Sequence, residues 1–149
     1  MTKDDFCSVY GPDALLVEGA TGLIADIILA QSALETGWGA HVKHNNIFGI
    51  KARDGEPYFE KTTQEWENGQ MVKKVQQFAS YTSPLVCMLR YCEKIRTNYI
   101  VAWSYRNNPP LYFDGLKYGK FGSYATDPNY TSLCLRVLKS LPEWRGDND

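Results

Sequence analysis

Between residues 23 and 36 the apolar positions Leu23, Ile24, Ile27, Ile28 and Leu34 recur at three- and four-residue steps. That spacing predicts a helix with Asp26 in its first turn and Gly37 just past its end. Upstream, Gly11-Pro12-Asp13 predicts a short helix with proline in the first turn, running through Leu15, Leu16 and Val17 to Gly19 before Thr21-Gly22 breaks the chain. Residues 39–53 read as loop around the apolar insert Ile47-Phe48-Gly49-Ile50. The period then changes: residues 58–67 and 70–81 are β-compatible arms around Asn68-Gly69, a pair that favours a two-residue hairpin turn. Beyond Pro84 helical spacing returns, with Leu85, Leu89, Tyr91, Cys92 and Ile95 on a helix over 83–97. A further segment, 99–105, precedes a stop at Pro109-Pro110. The remainder reads as helix, loop, helix. Residues 115–124 are rich in Gly and Tyr, and Asp127-Pro128 is expected to cap and start a last helix carrying Leu133, Leu135, Val137, Leu138 and Leu141. The polar end, 146–149, should fray.

The predicted class is α+β, mostly α, with a small β-hairpin lobe. At 149 residues, 44% of them hydrophobic, the chain is long enough for one real core without metals or a dense disulfide framework. No repeat or linker divides it, so one domain over 1–149 is expected, with an ordered core at about 11–141. Sixteen Lys and Arg against seventeen Asp and Glu give a net charge of −1, which argues against nucleic acid as a partner. No stretch approaches the roughly 20 apolar residues of a membrane span, and the polar start, Met1-Thr2-Lys3-Asp4-Asp5, is no secretory signal. A monomer is expected.

Four cysteines, Cys7, Cys87, Cys92 and Cys134, form the even set that an oxidising compartment favours. On one helix Cys87 and Cys92 would lie about 140° apart around the axis, beyond the roughly 7 Å a disulfide spans. Two schemes remain, Cys7–Cys87 with Cys92–Cys134, or Cys7–Cys92 with Cys87–Cys134, beside the alternative of four reduced thiols filling the core. His41 and His44 have no cysteine or carboxylate cluster beside them, so neither a metal nor a cofactor is expected.

Glu35 falls eleven residues after Ile24, seven after Ile28 and four after Gln31, on or beside the apolar face of its helix. Desolvation and the negative end of the helix dipole both raise the pKa of a carboxyl placed there, which suits a general acid. The competing reading is a helix-edge ion pair with Lys51 or Arg53. Gly37-Trp38-Gly39 offers close substrate approach beside one large ring. A two-residue turn puts Glu65 opposite Val72 and Glu67 opposite Gln70, on one face, with Trp66 on the other. Glycoside hydrolysis uses two carboxylates, and Glu35 with Glu65 is the candidate pair; a solvated hairpin edge explains Glu65 and Glu67 equally. The aromatic density from Tyr118 to Tyr130 suits a carbohydrate groove or ordinary core filling.

Four ordered segments carry a resemblance: 30–39 (AQSALETGWG), 45–52 (NNIFGIKA), 62–69 (TTQEWENG) and 124–130 (YATDPNY). Over about 11–141 the chain resembles glycoside hydrolase family 73, the peptidoglycan glucosaminidase domain of flagellar rod-assembly hydrolases and autolysins. The resemblance implies a lysozyme-like fold and cleavage of the β-1,4 bond between N-acetylglucosamine and N-acetylmuramic acid in peptidoglycan glycan strands. It implies Glu35 as catalytic acid, Glu65 as the second carboxylate on the hairpin, and Tyr124 as the tyrosine that positions the substrate N-acetyl group. Asn46 and Phe48 match loop positions lining the groove, and Trp38, Tyr118, Asp127 and Tyr130 are the further substrate-binding candidates. One departure stands out. Where several members carry Asp or His in the helix after the hairpin, this chain has Arg90, so no role of an acid transfers there.

Peptidoglycan lies outside the cytoplasmic membrane, while the sequence shows no Sec-type signal and no wall-binding repeat. The expectation is an antibacterial effector injected by a type VI secretion apparatus into the periplasm of a rival cell. There its bridges would close, and the producer would hold an immunity protein that plugs the Glu35 groove. The alternatives are a phage-type endolysin or autolysin of the same activity, muramidase specificity, or a non-catalytic glycan-binding module.

Overall fold

The periodic segment at 23–36 forms a helix, Ala25–Thr36, that the rest of the chain packs around: of its residues, Ala25, Ile27 through Ala33 and Thr36 are buried. Gly37 ends it in the left-handed conformation (φ 58°), its N–H donating to the Ala33 carbonyl. The computed structural model describes residues 1–146; within them the order is α1 (Lys3–Thr21), α2 (Ala25–Thr36), β1 (Tyr58–Glu67), β2 (Gln70–Ala79), α3 (Pro84–Asn98), α4 (Ile100–Ser104), α5 (Pro109–Gly115) and α6 (Tyr130–Ser140). The class is α+β and mostly helical, a lysozyme-like body with a hairpin lobe. Helices α1 and α6 pack on α2, and α3 packs on α1. The core joins Phe6, Leu23, Ile27, Ile28, Phe48, Met88, Tyr91, Ile95, Tyr112 and Phe113.

Two helix starts differ from expectation. α1 begins eight residues before Gly11, where Thr2 and Asp5 form a reciprocal capping box. Pro12 therefore sits inside the helix. Pro12 and Ser8 are both exposed, so the Ser8 carbonyl that loses its partner faces water, which limits the cost. α6 begins at Tyr130 rather than at Asp127-Pro128, because the Asp127 carboxylate accepts from the Asn129 N–H (2.8 Å) and closes a turn of its own. Pro109-Pro110 ends one helical segment and also occupies the first turn of α5, where their missing N–H groups cost nothing.

The hairpin has the expected register, with Glu67 opposite Gln70 and Glu65 opposite Val72. Asn68 (φ 51°) and Gly69 (φ 77°) both take the positive φ that a two-residue turn of this hand requires. Its base is tied to the helical body by the 46–53 loop: the Ala79 N–H donates to Ile50 (2.9 Å) and the Ala52 N–H to Gln77 (3.0 Å). The side chain of Trp66, expected on the opposite face, and residues 147–149 of the tail expected to fray lie outside the described residues. Just before that tail the chain is anchored: the Trp144 indole donates to Asp26 (2.9 Å), and Arg145 makes a forked pair with Glu18 at 2.6 and 3.1 Å.

The disulfide expectation is not supported. Cys7, Cys87, Cys92 and Cys134 are all buried and unpaired, serving as small apolar fillers between helices. Burial pushes the thiols of Cys7, Cys87 and Cys92 up to about 11 and that of Cys134 to about 12, so none is a thiolate near neutrality. Among the described residues no helix is long and apolar enough to cross a membrane.

Candidate active site

Glu35 lies in the last turn of α2, and its carboxyl opens into a cavity of about 510 Å³ between the 48–53 loop and α3. Phe48, Gly49 and Tyr124 line the cavity beside it. Gly49 is in the left-handed region (φ 64°), and a Cβ there would stand 3.6 Å from Glu35 Oε2. Glycine thus supplies both the loop's turn and the open space at the acid. Glu35 meets solvent along the groove, yet protein crowds its other sides. Burial raises its pKa above the ordinary carboxylate value; the Tyr130 hydrogen bond, Lys94 and Lys61 oppose that without cancelling it.

A chain of polar groups runs from Glu35 into the core. The Tyr130 hydroxyl, at the start of α6, donates to Glu35 Oε1 (3.2 Å). It accepts from Gln31 Nε2 (3.0 Å), one turn before Glu35 on α2. Gln31 Oε1 accepts from the Tyr91 hydroxyl of α3, which lies 2.6 Å from the Tyr112 hydroxyl of α5. Because Tyr91 spends its proton on Gln31, Tyr112 must donate to Tyr91. Every proton in the chain therefore points toward Glu35. With Oε1 already accepting, a neutral Glu35 carries its acid proton on Oε2, the oxygen beside Gly49. Gln31, Tyr91 and Tyr112 are fully buried, and the chain satisfies their polar groups away from water.

Tyr124 lines the groove, packs edge-on against Tyr99 (5.6 Å between centroids), and carries the Lys94 ammonium 5.1 Å from its ring centroid. Burial raises its hydroxyl well above the usual value, so it stays a neutral hydrogen-bonding group. Phe48 stacks on Tyr91 at 3.9 Å, fixing one wall.

Other candidates stand elsewhere. Asn46 is buried; its amide donates to Ile50 and Ala79 carbonyls (2.9 and 3.0 Å) and its oxygen accepts from the Ile50 N–H (3.1 Å). Those bonds use its polar groups on the loop, so it shapes the groove rather than binding in it. Trp38, turned by a positive φ of 56°, packs on Phe6 and beneath Lys3, away from the Glu35 cavity. Tyr118 is 62% exposed, and Asp127 lines a separate surface pocket. Glu65 accepts from Gln76 (2.6 Å) and borders neither cavity that Glu35 borders. It does share its strand face with Lys61, which borders the small opening at the hairpin base together with Glu35.

The sequence reading did not single out Gln31, Tyr91, Lys61 or Lys94. A local signal existed for Gln31, a polar residue one turn before Glu35 on an apolar helix. The tyrosines are joined to it only by tertiary packing.

Residues 11–143 match the family model Glucosaminidase, described as mannosyl-glycoprotein endo-beta-N-acetylglucosaminidase. The chain is similar to the peptidoglycan hydrolase FlgJ of Salmonella typhimurium, with 31% identity over 146 residues, 92% of this chain and 46% of that protein. It spans less than half the length of the first such curated relatives. The structure of a C-terminally truncated glycoside hydrolase domain from the Salmonella typhimurium FlgJ superposes with a TM-score of 0.73 at 31% identity, over 93% of this chain and 97% of that one. A peptidoglycan hydrolase mutant from Sphingomonas sp. A1 gives 0.77 at 28% identity, over 97% and 94%. With the model match covering most of its length, this chain belongs to the glucosaminidase family.

Proposed function

We propose that this domain hydrolyses the β-1,4 bond between N-acetylglucosamine and N-acetylmuramic acid in peptidoglycan, with Glu35 as general acid. The observation that carries this reading is the Glu35 carboxyl itself: raised in pKa by burial, and held by Tyr130 so that its proton sits on the oxygen facing the groove. A glycosidic oxygen beside Gly49 would receive that proton as the bond breaks. The similar proteins of Salmonella typhimurium and Sphingomonas sp. A1, peptidoglycan hydrolases in both cases, support the substrate class.

Glu65 and Tyr124 are the two candidates for the second half of the reaction. Lys61 reaches the Glu35 opening, and Glu65 lies four residues farther along an extended strand, about 13 Å. Glu65 borders neither cavity that Glu35 borders, which favours a substrate-assisted course, in which the N-acetyl oxygen attacks and Tyr124 orients it, over direct use of Glu65. Bending of the hairpin toward the groove would restore the alternative.

Digestion of purified peptidoglycan by wild type and by Glu35→Gln, with mass analysis of new reducing ends, tests the assignment. Wild type should release N-acetylglucosamine reducing ends, and the variant should be about 10²- to 10⁴-fold slower. N-acetylmuramic acid ends would make the domain a muramidase, and equal rates would remove Glu35 from its role. On this reading the domain acts where peptidoglycan lies, outside the cytoplasmic membrane. Delivery as an injected antibacterial effector, with an immunity protein over the groove, loses the support that closed disulfides gave it. Protection of wall digestion by a co-expressed neighbouring protein is the result that would restore it.

A further inference from the structure

The groove is basic on the side away from Gln31. Arg90, Glu93, Lys94, Thr97 and Asn98 of α3 fall at steps of three, one, three and one, which places them on one helix face, and all border the cavity. Across from them the 48–53 loop contributes Lys51 and Arg53. Four cations thus line a cavity whose carboxylates are Glu93 and Glu35, in a chain of net charge −1.

The pairing within this wall is incomplete. Arg53 meets Glu56 at 3.5 Å and Glu93 at 3.4 Å, and Arg90 meets Glu56 only at 3.9 Å. The Nε of Arg90 is buried with no hydrogen-bond partner among the described residues. Among the described residues, neither Lys51 nor Lys94 has a carboxylate within 4.0 Å. Burial and the neighbouring Arg90 and Lys51 charges disfavour the Lys94 ammonium. Lys94 also favours the ionised form of Glu35, against the needs of an acid. Neutral sugar hydroxyls do not call for such an arrangement. A carboxylate does, since it would complete the Arg90 donor set and offset the cationic field beside Glu35.

Resting on the substrate read above, we propose that Lys51, Arg90 and Lys94 form an anion subsite for the carboxylate borne by the 3-O-lactyl branch of an N-acetylmuramic acid residue. Two sources share this chemistry: the lactyl carboxylate of a bare strand, and the carboxylates of an attached stem peptide. Either source would place an N-acetylmuramic acid ring next to Glu35 and select against uncharged glycans.

The test uses solubilised glycan strands in three forms: intact, stripped of stem peptides by an amidase, and carbodiimide-amidated so that every carboxylate is neutral. Lys51→Gln and Arg90→Gln are compared with wild type, circular dichroism serving to confirm their folding. On strands that carry the recognised carboxylate each variant should raise KM roughly 3- to 30-fold, between the effect of an exposed ion pair and that of a charged hydrogen bond, with a smaller change in kcat. Added salt should raise the wild-type KM in the same direction. On amidated strands wild type and variants should share one elevated KM. An attached stem holds the lactyl carboxyl as a neutral amide, so charge sensitivity on stripped strands assigns the subsite to the lactyl carboxylate, and sensitivity confined to intact strands assigns it to the stem. Equal KM values for wild type and variants on intact and on stripped strands alike, with digestion proceeding, overturn the subsite and leave the hydrolase reading standing. Absence of digestion by wild type overturns both.

Discussion

Replacing Tyr130 with Phe removes one hydroxyl and disturbs two partners. The first is Gln31, whose Nε2 donates to that hydroxyl from a fully buried position. Leaving a buried donor without a partner costs about 1–3 kcal/mol. In a domain of this size each kcal/mol shifts Tm by roughly 2–4 °C, so the melt should fall by about 2–12 °C. The second partner is Glu35, which loses a donor that favours its ionised form. Its pKa should therefore rise further, and the alkaline limb of the kcat profile, where the acid loses its proton, should move to higher pH. At the same time Oε1 becomes free to hold the proton, so the fraction carrying it on Oε2 falls and kcat at the optimum drops. Turnover of solubilised strands against pH, beside thermal melts, separates these effects. A purely structural tyrosine would lower Tm and leave the limb in place. An unmoved limb, or one displaced toward acid, would refute the orientation argued for the hydroxyl chain.

Three further outcomes follow from the same geometry. The folded pKa of Glu35 lies above its unfolded value, so its contribution to stability is full below the unfolded pKa and is lost as pH rises through the folded one. Glu35→Gln should thus match wild type in acid and exceed it above the folded pKa, and a lower Tm at neutral pH contradicts this. Gly49→Ala imposes a left-handed conformation on a residue with a Cβ, costing about 1–2 kcal/mol, and sets a methyl 3.6 Å from Glu35 Oε2; both Tm and kcat should fall, and an unaltered kcat argues against a proton on that oxygen. Under non-reducing conditions the native protein should show almost no reaction with a thiol reagent and release four thiols on denaturation, whereas fewer than four would reinstate a disulfide.

The parts of this fold that local rules govern could be read from the sequence. α2 showed its period and its glycine cap, and Asn68-Gly69 set the hairpin register to the residue. The first half of α1 was hidden by Pro12, which marks a helix start in most contexts and is tolerated here because Ser8 and Pro12 face water. Glu35 stood out because a carboxylate beside Ile28 and Gln31 needs explaining. The groups that orient its proton did not stand out, since the contacts of Gln31 with Tyr91 and Tyr130 span 60 and 99 residues. Trp38 misled for a geometric reason: a positive φ turned the ring toward α1, and nothing in Gly37-Trp38-Gly39 dictates that sense. The cysteine count suggested bridges, but an even number of thiols carries no information about which faces of α1, α3 and α6 they occupy.

The hydroxyl chain behind Glu35 draws one or more members from each of α2, α3, α5 and α6. No two of these helices alone can complete it, and its direction is set by the Gln31 amide, whose oxygen takes the Tyr91 proton and whose nitrogen donates to Tyr130. In an unfolded chain Glu35 is a solvated carboxyl with no burial to raise its pKa and no preferred oxygen for its proton. Competence for acid catalysis is thus a property of the packed helices rather than of Glu35 alone: burial against the groove raises its pKa, and the docking of α6 on α2 supplies the Tyr130 donor that leaves Oε2 to hold the proton.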